Sequence, residues 1–308
     1  MLARQSGLAL LWLLAVLPYA LLTSLANLSG WIMWQRNGRF RKVTVRNLEI
    51  CFPDLSSEAR TRLARKSLQE LSLGILEMGR IWLRRPESLL QRVNAVVGEE
   101  HLEAALGDNQ GTILLVPHLG SWEHVYYYLC QRYSITTMYQ APKSAAFADF
   151  IFLARQRCGV RLVTTGKSGV RTLLKELKSG GIISMLPDQV PARNCGKFAP
   201  FFGEPALTMT LATNFLQRVD ARAVCGYCKR LPGGKYEIVF RPADEAIYDP
   251  DCATALAALN KSIERCVMDC PEQYQWQYKR FKWLPNLTKR DYLGNDPHAG
   301  TGLRQRRV

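Results

Sequence analysis

The N-terminal 35 residues constrain the fold of this chain more than any other stretch. Residues 5–35 carry no charged side chain and consist mainly of Leu, Ala, Trp and Val. A helix that spans a membrane needs about 20 apolar residues, so this run is long enough to cross one. Trp31 and Trp34 lie at its far end, as interfacial aromatic residues do. We therefore predict a membrane helix in residues 1–35, while Pro18 leaves a kink, a hairpin or a monotopic arrangement open.

A basic segment follows this run directly. It contains Arg36, Arg39, Arg41, Lys42 and Arg46. The positive-inside rule then places the body of the protein in the cytoplasm, and the same cluster would bind anionic lipid. The whole chain has a formal net charge of +15, which indicates acidic partners or a generally basic surface. No nucleic-acid-binding signature accompanies that charge, so a membrane-facing surface is favoured over nucleic acid.

The rest of the chain alternates between predicted strands and helices. A helix is predicted over residues 55–84, where the spacing of Glu77 and Arg80 is typical of a surface ion pair. From residue 96 onward strands alternate with helices, which include predicted helices near 145–158 and 207–218, and two of the strands form a hairpin around 232–234. This order predicts an α/β fold, a mixed central sheet flanked by helices.

Three parts of the chain are expected to differ in role. Residues 1–35 are the predicted membrane anchor, and residues 36–290 are predicted to form the catalytic domain. Residues 291–308 contain three glycines and three arginines, so we predict a basic, disordered tail there.

His118 and Glu123 form the most informative pair of residues. An apolar run over 113–116, closed by Pro117, is typical of a buried strand, and Ser121 is the expected N-cap of a helix that follows. His118 therefore lies where open α/β sheets bind ligands. A histidine there can act as a general base, with Glu123 fixing its tautomer and stabilising its charged form. The alternative is a capped helix start whose histidine only satisfies a loop carbonyl.

Four further residues are candidates for substrate binding. Asp188 also follows a predicted strand, so it could face the same crevice as His118, although an ordinary turn aspartate explains it nearly as well. Arg155 could hold a phosphate, and Arg171 with Lys175 could form a phosphate-binding or protein-binding patch on one helix face. A solvated helix surface accounts for these three basic residues equally well.

The cysteines and histidines indicate neither a disulfide framework nor a metal site. The nine cysteines are irregularly spaced, which favours a reducing compartment. The single CxxC, at 225–228, lies in a predicted strand and is interpreted as core and edge packing, with metal binding as a remote alternative. His124 lies six residues from His118, which is not the spacing of an HExxH zinc helix. We therefore expect no metal and no cofactor.

Four sequence blocks together resemble the bacterial lipid A biosynthesis acyltransferases. They are PHLGSWE at 117–123, GKSGVRTLL at 166–174, MLPDQ at 185–189 with PFFGEP at 200–205, and PEQYQW at 271–276 with RFK at 280–282. The resemblance implies a glycerolipid-acyltransferase-like fold. It also implies transfer of a fatty acyl group from acyl carrier protein to a hydroxyl of a lipid A precursor at the bacterial inner membrane.

Other functions stay open at this point. The acceptor could instead be a lysophospholipid or another glycolipid, or the chain could be a non-catalytic protein that binds acyl carrier protein or anionic lipid. The resemblance leaves acyl-chain length, the acylated hydroxyl and the oligomeric state undetermined.

Overall fold

A seven-stranded mixed sheet lies at the centre of the structure. The structure is a computed structural model that describes residues 2–107, 110–139 and 152–293, with side chains from residue 9 onward. The strands in chain order are β1 (Val93–Val97), β2 (Gly111–Leu115), β3 (Ile135–Tyr139), β4 (Val160–Thr164), β5 (Ile182–Met185), β6 (Gly196–Phe201), β7 (Glu204–Met209), β8 (Ala221–Leu231) and β9 (Lys235–Pro242). Of these, β6 and β7 form a separate two-stranded ribbon. The spatial order in the sheet is β1-β9-β8-β2-β5-β3-β4. β8 and β9 pair antiparallel and the other neighbours pair parallel, so the predicted mixed α/β sheet is confirmed.

Helices surround this sheet and form an N-terminal layer. They are α1 (Leu2–Val16), α2 (Tyr19–Gln35), α3 (Arg39–Cys51), α4 (Ser57–Leu83), α5 (Pro86–Leu90), α6 (Glu99–Leu106), α7 (Glu123–Leu129), α8 (152–157), α9 (Lys167–Lys178), α10 (Leu211–Leu216) and α11 (Cys252–Asp269). Short 3-10 turns occur at Arg193–Cys195, Pro232–Gly234, Glu245–Tyr248 and Pro271–Gln273. The predicted helix near 145–158 is described only from residue 152. The predicted disordered tail lies outside the described residues from 294 onward.

Local sequence signals explain where several of these elements begin. All five residues of β2 are buried, as expected for an apolar run between two neighbouring strands. The hydroxyl of Ser56 accepts a hydrogen bond from the N–H of Ala59 at 3.2 Å and begins α4. The carboxylate of Asp251 accepts a hydrogen bond from the N–H of Thr254 at 2.9 Å and caps the N-terminus of α11. Short polar side chains at these positions satisfy N–H groups that the first helical turn leaves unpaired.

The apolar N-terminal run forms two helices, so the prediction of one membrane helix is corrected. α1 and α2 are separated at Pro18, whose ring and missing N–H prevent a continuous helix. Within the described part of the chain, no single helix is long and apolar enough to span a membrane. The segments Ala9–Val16 and Tyr19–Gln35 meet that test only together, as a pair bent by 118°. Leu14 of α1 and Leu22 of α2 pack against Leu73 of α4.

Two further predictions about local structure are corrected. The helix predicted near 207–218 is shorter, because only Leu211–Leu216 (α10) is helical and residues 204–209 belong to the β6–β7 ribbon. Glu77 does not pair with Arg80 on the surface; it is fully buried, and its carboxylate accepts a hydrogen bond from Arg230 at 2.6 Å. The hydroxyls of Tyr19 and Tyr236 bind the same carboxylate at 2.7 and 2.8 Å. A buried charge needs such partners, and the helical spacing along α4 does not reveal them.

Candidate active site

The ends of two neighbouring strands bring His118 and Asp188 together. β2 and β5 pair parallel, with Leu115 opposite Met185 in the register. Each strand is followed within three residues by a polar side chain, His118 after β2 and Asp188 after β5. Because the carboxyl ends of parallel neighbours lie at one edge of the sheet, both side chains reach the same crevice. The sequence prediction that the two residues face one site is therefore confirmed.

Asp188 holds His118 through both the ring and the backbone. One carboxylate oxygen lies 2.8 Å from the ring Nδ1, and the other accepts the backbone N–H of His118 at 2.9 Å. Burial alone would raise the pKa of Asp188, but the charge and hydrogen bonds of His118 outweigh it and keep that pKa below its usual value. An ionised carboxylate at Nδ1 fixes the tautomer in which Nδ1 carries the proton and Nε2 keeps its lone pair.

Glu123 does not contact the ring of His118 in this way, so the predicted His118–Glu123 pair is corrected. Glu123 begins α7 and is buried there; its carboxylate accepts hydrogen bonds from the indole Nε1 of Trp82 at 2.7 Å and from Arg155 at 3.0 Å. These partners come from α4 and α8, which cover the start of α7. The carboxylate that orients His118 is Asp188, which was predicted only as a substrate-binding residue.

Arg155 is placed close to the candidate site but is already paired. Besides its contact with Glu123, its guanidinium lies 5.2 Å from the ring centre of Trp122. Burial lowers the pKa of Arg155, and the charge of Glu123 more than compensates, so the pKa is raised overall. The side chain also lines the larger of the two cavities described below. Its predicted contact with a phosphate stays a prediction.

Arg171 and Lys175 lie on a different surface. Both side chains are exposed on the outer face of α9, while Leu173 and Leu177 on the opposite face are buried against the sheet. This is the amphipathic arrangement expected of a surface helix. The structure therefore places the two basic residues on a solvent-facing helix and not beside His118.

Two cavities meet at His118 and Trp122. A smaller one, of about 130 Å³, lies between α4 and the segment 273–277. A larger one, of about 610 Å³, lies beyond the ends of β3 and β5. Both are lined largely by apolar side chains; examples are Leu71, Ile75 and Met78 in the smaller and Tyr126, Met138 and Met185 in the larger. His118 and Trp122 line both, so a group bound in either cavity can reach the imidazole.

The backbone of the loop between His118 and α7 is closely packed, and the N–H groups of residues 118–121 are hydrogen-bonded within the protein. Gly120 has φ +60°, and a Cβ there would lie 1.9 Å from the carbonyl oxygen of Cys228, so no other residue fits. Ser121 is not the N-cap of α7; its hydroxyl lies 2.9 Å from Nδ1 of His124, and its backbone N–H donates to Cys228 at 2.8 Å. That N–H is therefore not available to stabilise an oxyanion.

Sequence reasoning missed three residues of the site: Trp82, Gln189 and Gln275. The amide Nε2 of Gln189 lies 3.2 Å from Nε2 of His118 and 3.0 Å from Oε1 of Gln275. Gln189 directly follows Asp188 and belongs to the block MLPDQ, so its position was a usable signal. Trp82 lies 41 residues before Glu123 on α4, and no local pattern pointed to it.

The cysteines of the CxxC are core residues, as predicted. Cys225 and Cys228 lie in β8 and are completely buried. Over residues 2–107, 110–139 and 152–293, no group of three His, Cys, Asp or Glu side chains is arranged to hold a metal ion.

The fold and the site first define a class of protein. A mixed α/β sheet with a carboxylate-held histidine at the junction of two largely apolar cavities is suited to transferring a group between two substrates with apolar parts. The chain belongs to a family within that class: the profile described as bacterial lipid A biosynthesis acyltransferase matches residues 3–283. An acyltransferase activity in lipid A biosynthesis is therefore supported for the chain as a member of this family.

Several characterised relatives cover nearly the whole chain. The lipid A biosynthesis lauroyltransferase of Escherichia coli K12 is 27% identical over 91% of both chains. The lipid A biosynthesis palmitoleoyltransferase of the same organism is 29% identical over 91% of this chain and 90% of its own. A lipid A biosynthesis acyltransferase of Haemophilus influenzae is 27% identical over 88% of this chain and 84% of its own.

Proposed function

We propose that this protein transfers a fatty acyl chain from acyl carrier protein to a hydroxyl group of a lipid A precursor, with His118 as the general base. The observation that carries this proposal is the Asp188–His118 pair at the junction of two cavities. The family membership supplies the reaction class and the acceptor. Acyl carrier protein as donor rests on the family resemblance and on the net charge of +15, which suits an acidic carrier.

The proposed mechanism needs one base and no covalent enzyme intermediate. Nε2 of His118 accepts the proton of the acceptor hydroxyl as its oxygen attacks the thioester carbonyl. The negative charge of Asp188 stabilises the imidazolium that forms, because it lies 2.8 Å from the protonated Nδ1. The imidazolium then returns the proton to the leaving thiolate. The two cavities that share His118 would hold the two apolar substrates in line for attack.

The N-terminal helices suit attachment to the inner membrane, with the catalytic domain on the cytoplasmic side. On α1 and α2, Trp12, Leu13, Val16, Leu28 and Trp31 are each 54–63% exposed. Apolar surface of this extent is costly in water and typical of a membrane contact. Exposed Arg36, Arg39 and Lys42 follow and would contact anionic lipid headgroups. Flotation of the purified chain with anionic phospholipid vesicles tests this, and protein that stays unbound contradicts it.

The experiment that tests the proposed function compares two acceptors. Full-length wild type and His118→Ala, in detergent micelles, receive radiolabelled acyl carrier protein thioesters with either a lipid A precursor or a lysophospholipid. We expect transfer to the lipid A precursor, and a loss of about 10²- to 10⁴-fold in kcat in the variant, because the general base is removed. His101→Ala, a substitution on the exposed face of α6, is the matched control and should leave the rate unchanged.

Each other outcome contradicts a separate part of the proposal. Transfer only to lysophospholipid excludes the lipid A precursor as acceptor but keeps the base. Wild-type transfer that survives in His118→Ala excludes His118 as base. With charge reversal at Arg171 and Lys175, an unchanged KM for the carrier thioester excludes their face of α9 as the carrier-protein site. No transfer to either acceptor would favour another glycolipid acceptor or a non-catalytic role.

A further inference from the structure

Two consecutive residues hold the two ring nitrogens of His118. Asp188 binds Nδ1 at 2.8 Å, and the amide Nε2 of Gln189 lies 3.2 Å from the ring Nε2. Because Nδ1 carries the proton, Nε2 is an acceptor and needs a donor opposite it. The –NH₂ group of Gln189 is that donor, and its other N–H donates to Oε1 of Gln275 at 3.0 Å. In this series of hydrogen bonds, which runs from Asp188 through His118 and Gln189 to Gln275, each N–H therefore faces an acceptor.

The amide occupies the place where the acceptor hydroxyl must bind. In the proposed function, on which this inference rests, the hydroxyl donates its proton to Nε2 of His118. On binding, it takes the position opposite Nε2 and releases one N–H of Gln189. Gln189 lines the larger cavity, Gln275 lines the smaller one, and His118 lines both. The released N–H is thus at the junction where the hydroxyl and the thioester carbonyl meet.

The backbone N–H groups of residues 118–121 cannot supply the hydrogen bond that an oxyanion needs. The N–H groups of residues 118–121 all donate within the protein, to Asp188, Pro117, Gln273 and Cys228 in turn. Acyl transfer nevertheless places a negative charge on the carbonyl oxygen, and amide side chains can stabilise such charges. Among the groups next to Nε2, Gln189 is the one whose N–H becomes free as the substrate binds.

We propose that the side-chain amide of Gln189 is a catalytic hydrogen-bond donor to the oxyanion of the acyl-transfer intermediate, and that Gln275 is the positioning residue that holds this amide. The acceptor oxygen forms a bond to the thioester carbon while its proton goes to Nε2 of His118. The electron pair of the C=O bond moves onto the carbonyl oxygen, which accepts the N–H of Gln189. When the C–S bond breaks, that pair re-forms the carbonyl, and the thiolate takes the proton back from His118.

The test measures kcat, KM and pH profiles of Gln189→Ala and Gln189→Glu with the full chain. An interaction made only in the transition state lowers kcat without changing KM, so we expect kcat to fall by about 10²- to 10³-fold in both variants. In Gln189→Ala the acid limb of the kcat profile should stay in place, because kcat reports the substrate complex, in which the hydroxyl has already displaced the amide from Nε2 of His118. In Gln189→Glu it should move to higher pH, because a carboxylate beside Nε2 favours the imidazolium.

Two further variants separate this role from a structural one. Gln275→Leu removes the acceptor that holds the amide and should lower kcat about tenfold, less than loss of the amide itself. Gln110→Ala removes an amide that binds Asp220 at 2.7 Å, away from the cavities, and should leave kcat and KM unchanged. If Gln189→Ala does not fold, Gln189→Glu has the same size and still removes the donor.

Distinct results overturn the two proposals. Gln189→Ala with kcat within threefold of wild type, alongside an inactive His118→Ala, excludes the oxyanion role and leaves the proposed function intact. A Gln189→Ala variant whose acid limb shifts in the kcat profile acts through the base instead, which also contradicts this inference. If wild type transfers no acyl group to either acceptor, the proposed function fails, and the assignment of Gln189 fails with it.

Discussion

His118 and His124 lie six residues apart in one segment, and the protein gives them opposite environments. His118 keeps 19% of its side chain exposed, binds the carboxylate of Asp188 and lines two cavities. His124 is completely buried; Nδ1 binds the hydroxyl of Ser121, and the ring stacks on Tyr236 at a centroid distance of 4.0 Å. One histidine has a charged partner and access to ligand, while the other has a neutral partner and no solvent.

These environments have opposite consequences for proton transfer. Burial lowers the pKa of His124 to about 4, because the apolar core penalises the charged ring more than the nearby Glu77 charge stabilises it. His124 is therefore neutral at physiological pH and serves as packing. His118 can become charged during a reaction because the carboxylate of Asp188 is in place at Nδ1. A histidine next to a strand end is suited to catalysis only when such a partner and an open path accompany it.

Asp188→Asn makes the surroundings of His118 neutral, like those of His124, and should have the largest effect. The amide can present an N–H to Nδ1, which favours the tautomer with the proton on Nε2, and it cannot stabilise the imidazolium. We expect kcat to fall by about 10³- to 10⁴-fold with little loss of folded protein. Acyl-transfer kinetics of the purified variant measure this, with Asp54→Asn, an exposed aspartate, as the matched control. A kcat within tenfold of wild type would show that the carboxylate of Asp188 does not orient His118 or stabilise its charged form during catalysis.

Glu123→Gln tests the carboxylate that lies between His118 and His124 in the sequence, directly before His124. Its loss leaves Arg155 mostly buried without a counter-charge, so we expect the free energy of unfolding to fall by about 3 kcal/mol. Urea unfolding measures this loss. Removing the stranded charge as well, with Arg155→Gln, should recover part of it in a double-mutant cycle.

The activity of Glu123→Gln decides between the two carboxylates. We expect its kcat to fall at least tenfold less than that of Asp188→Asn, because Glu123 binds Trp82 and Arg155 and not the ring of His118. An equal fall in kcat with unchanged stability would instead support the sequence prediction that Glu123 orients His118.

The residues of this segment also show which structural features local sequence patterns can predict and which they cannot. The apolar run of β2, the helix that follows it and the position of His118 were predictable, since each depends on neighbours in the chain. The choice of Asp188 over Glu123 depends on β5 lying beside β2, which strand order decides and spacing does not. The same holds for Trp82, which reaches Glu123 because α4 packs over the start of α7. The bend at Pro18 was foreseen only as an option, since whether proline kinks or breaks a helix depends on what the flanking helices pack against.

His124→Phe should have a smaller effect that appears only with pH. In wild type the folded-state pKa of about 4 lies below the ordinary value of 6.5, so between these values the unfolded chain binds a proton that the folded chain does not. Stability therefore falls as pH decreases through this window. From pH 7 to pH 5 this histidine alone should cost wild type about 2 kcal/mol, since each pKa unit corresponds to about 1.4 kcal/mol.

The variant lacks the titrating ring, so its unfolding free energy should lose about 2 kcal/mol less than wild type over the same interval. Phe keeps an aromatic ring against Tyr236, which limits the change in packing. Urea unfolding at pH 7, 6 and 5 measures the difference, and other titrating groups cancel because they are present in both chains. Parallel pH curves for wild type and His124→Phe would mean that His124 is not held neutral, and the contrast between the two histidines would rest on ligand access alone.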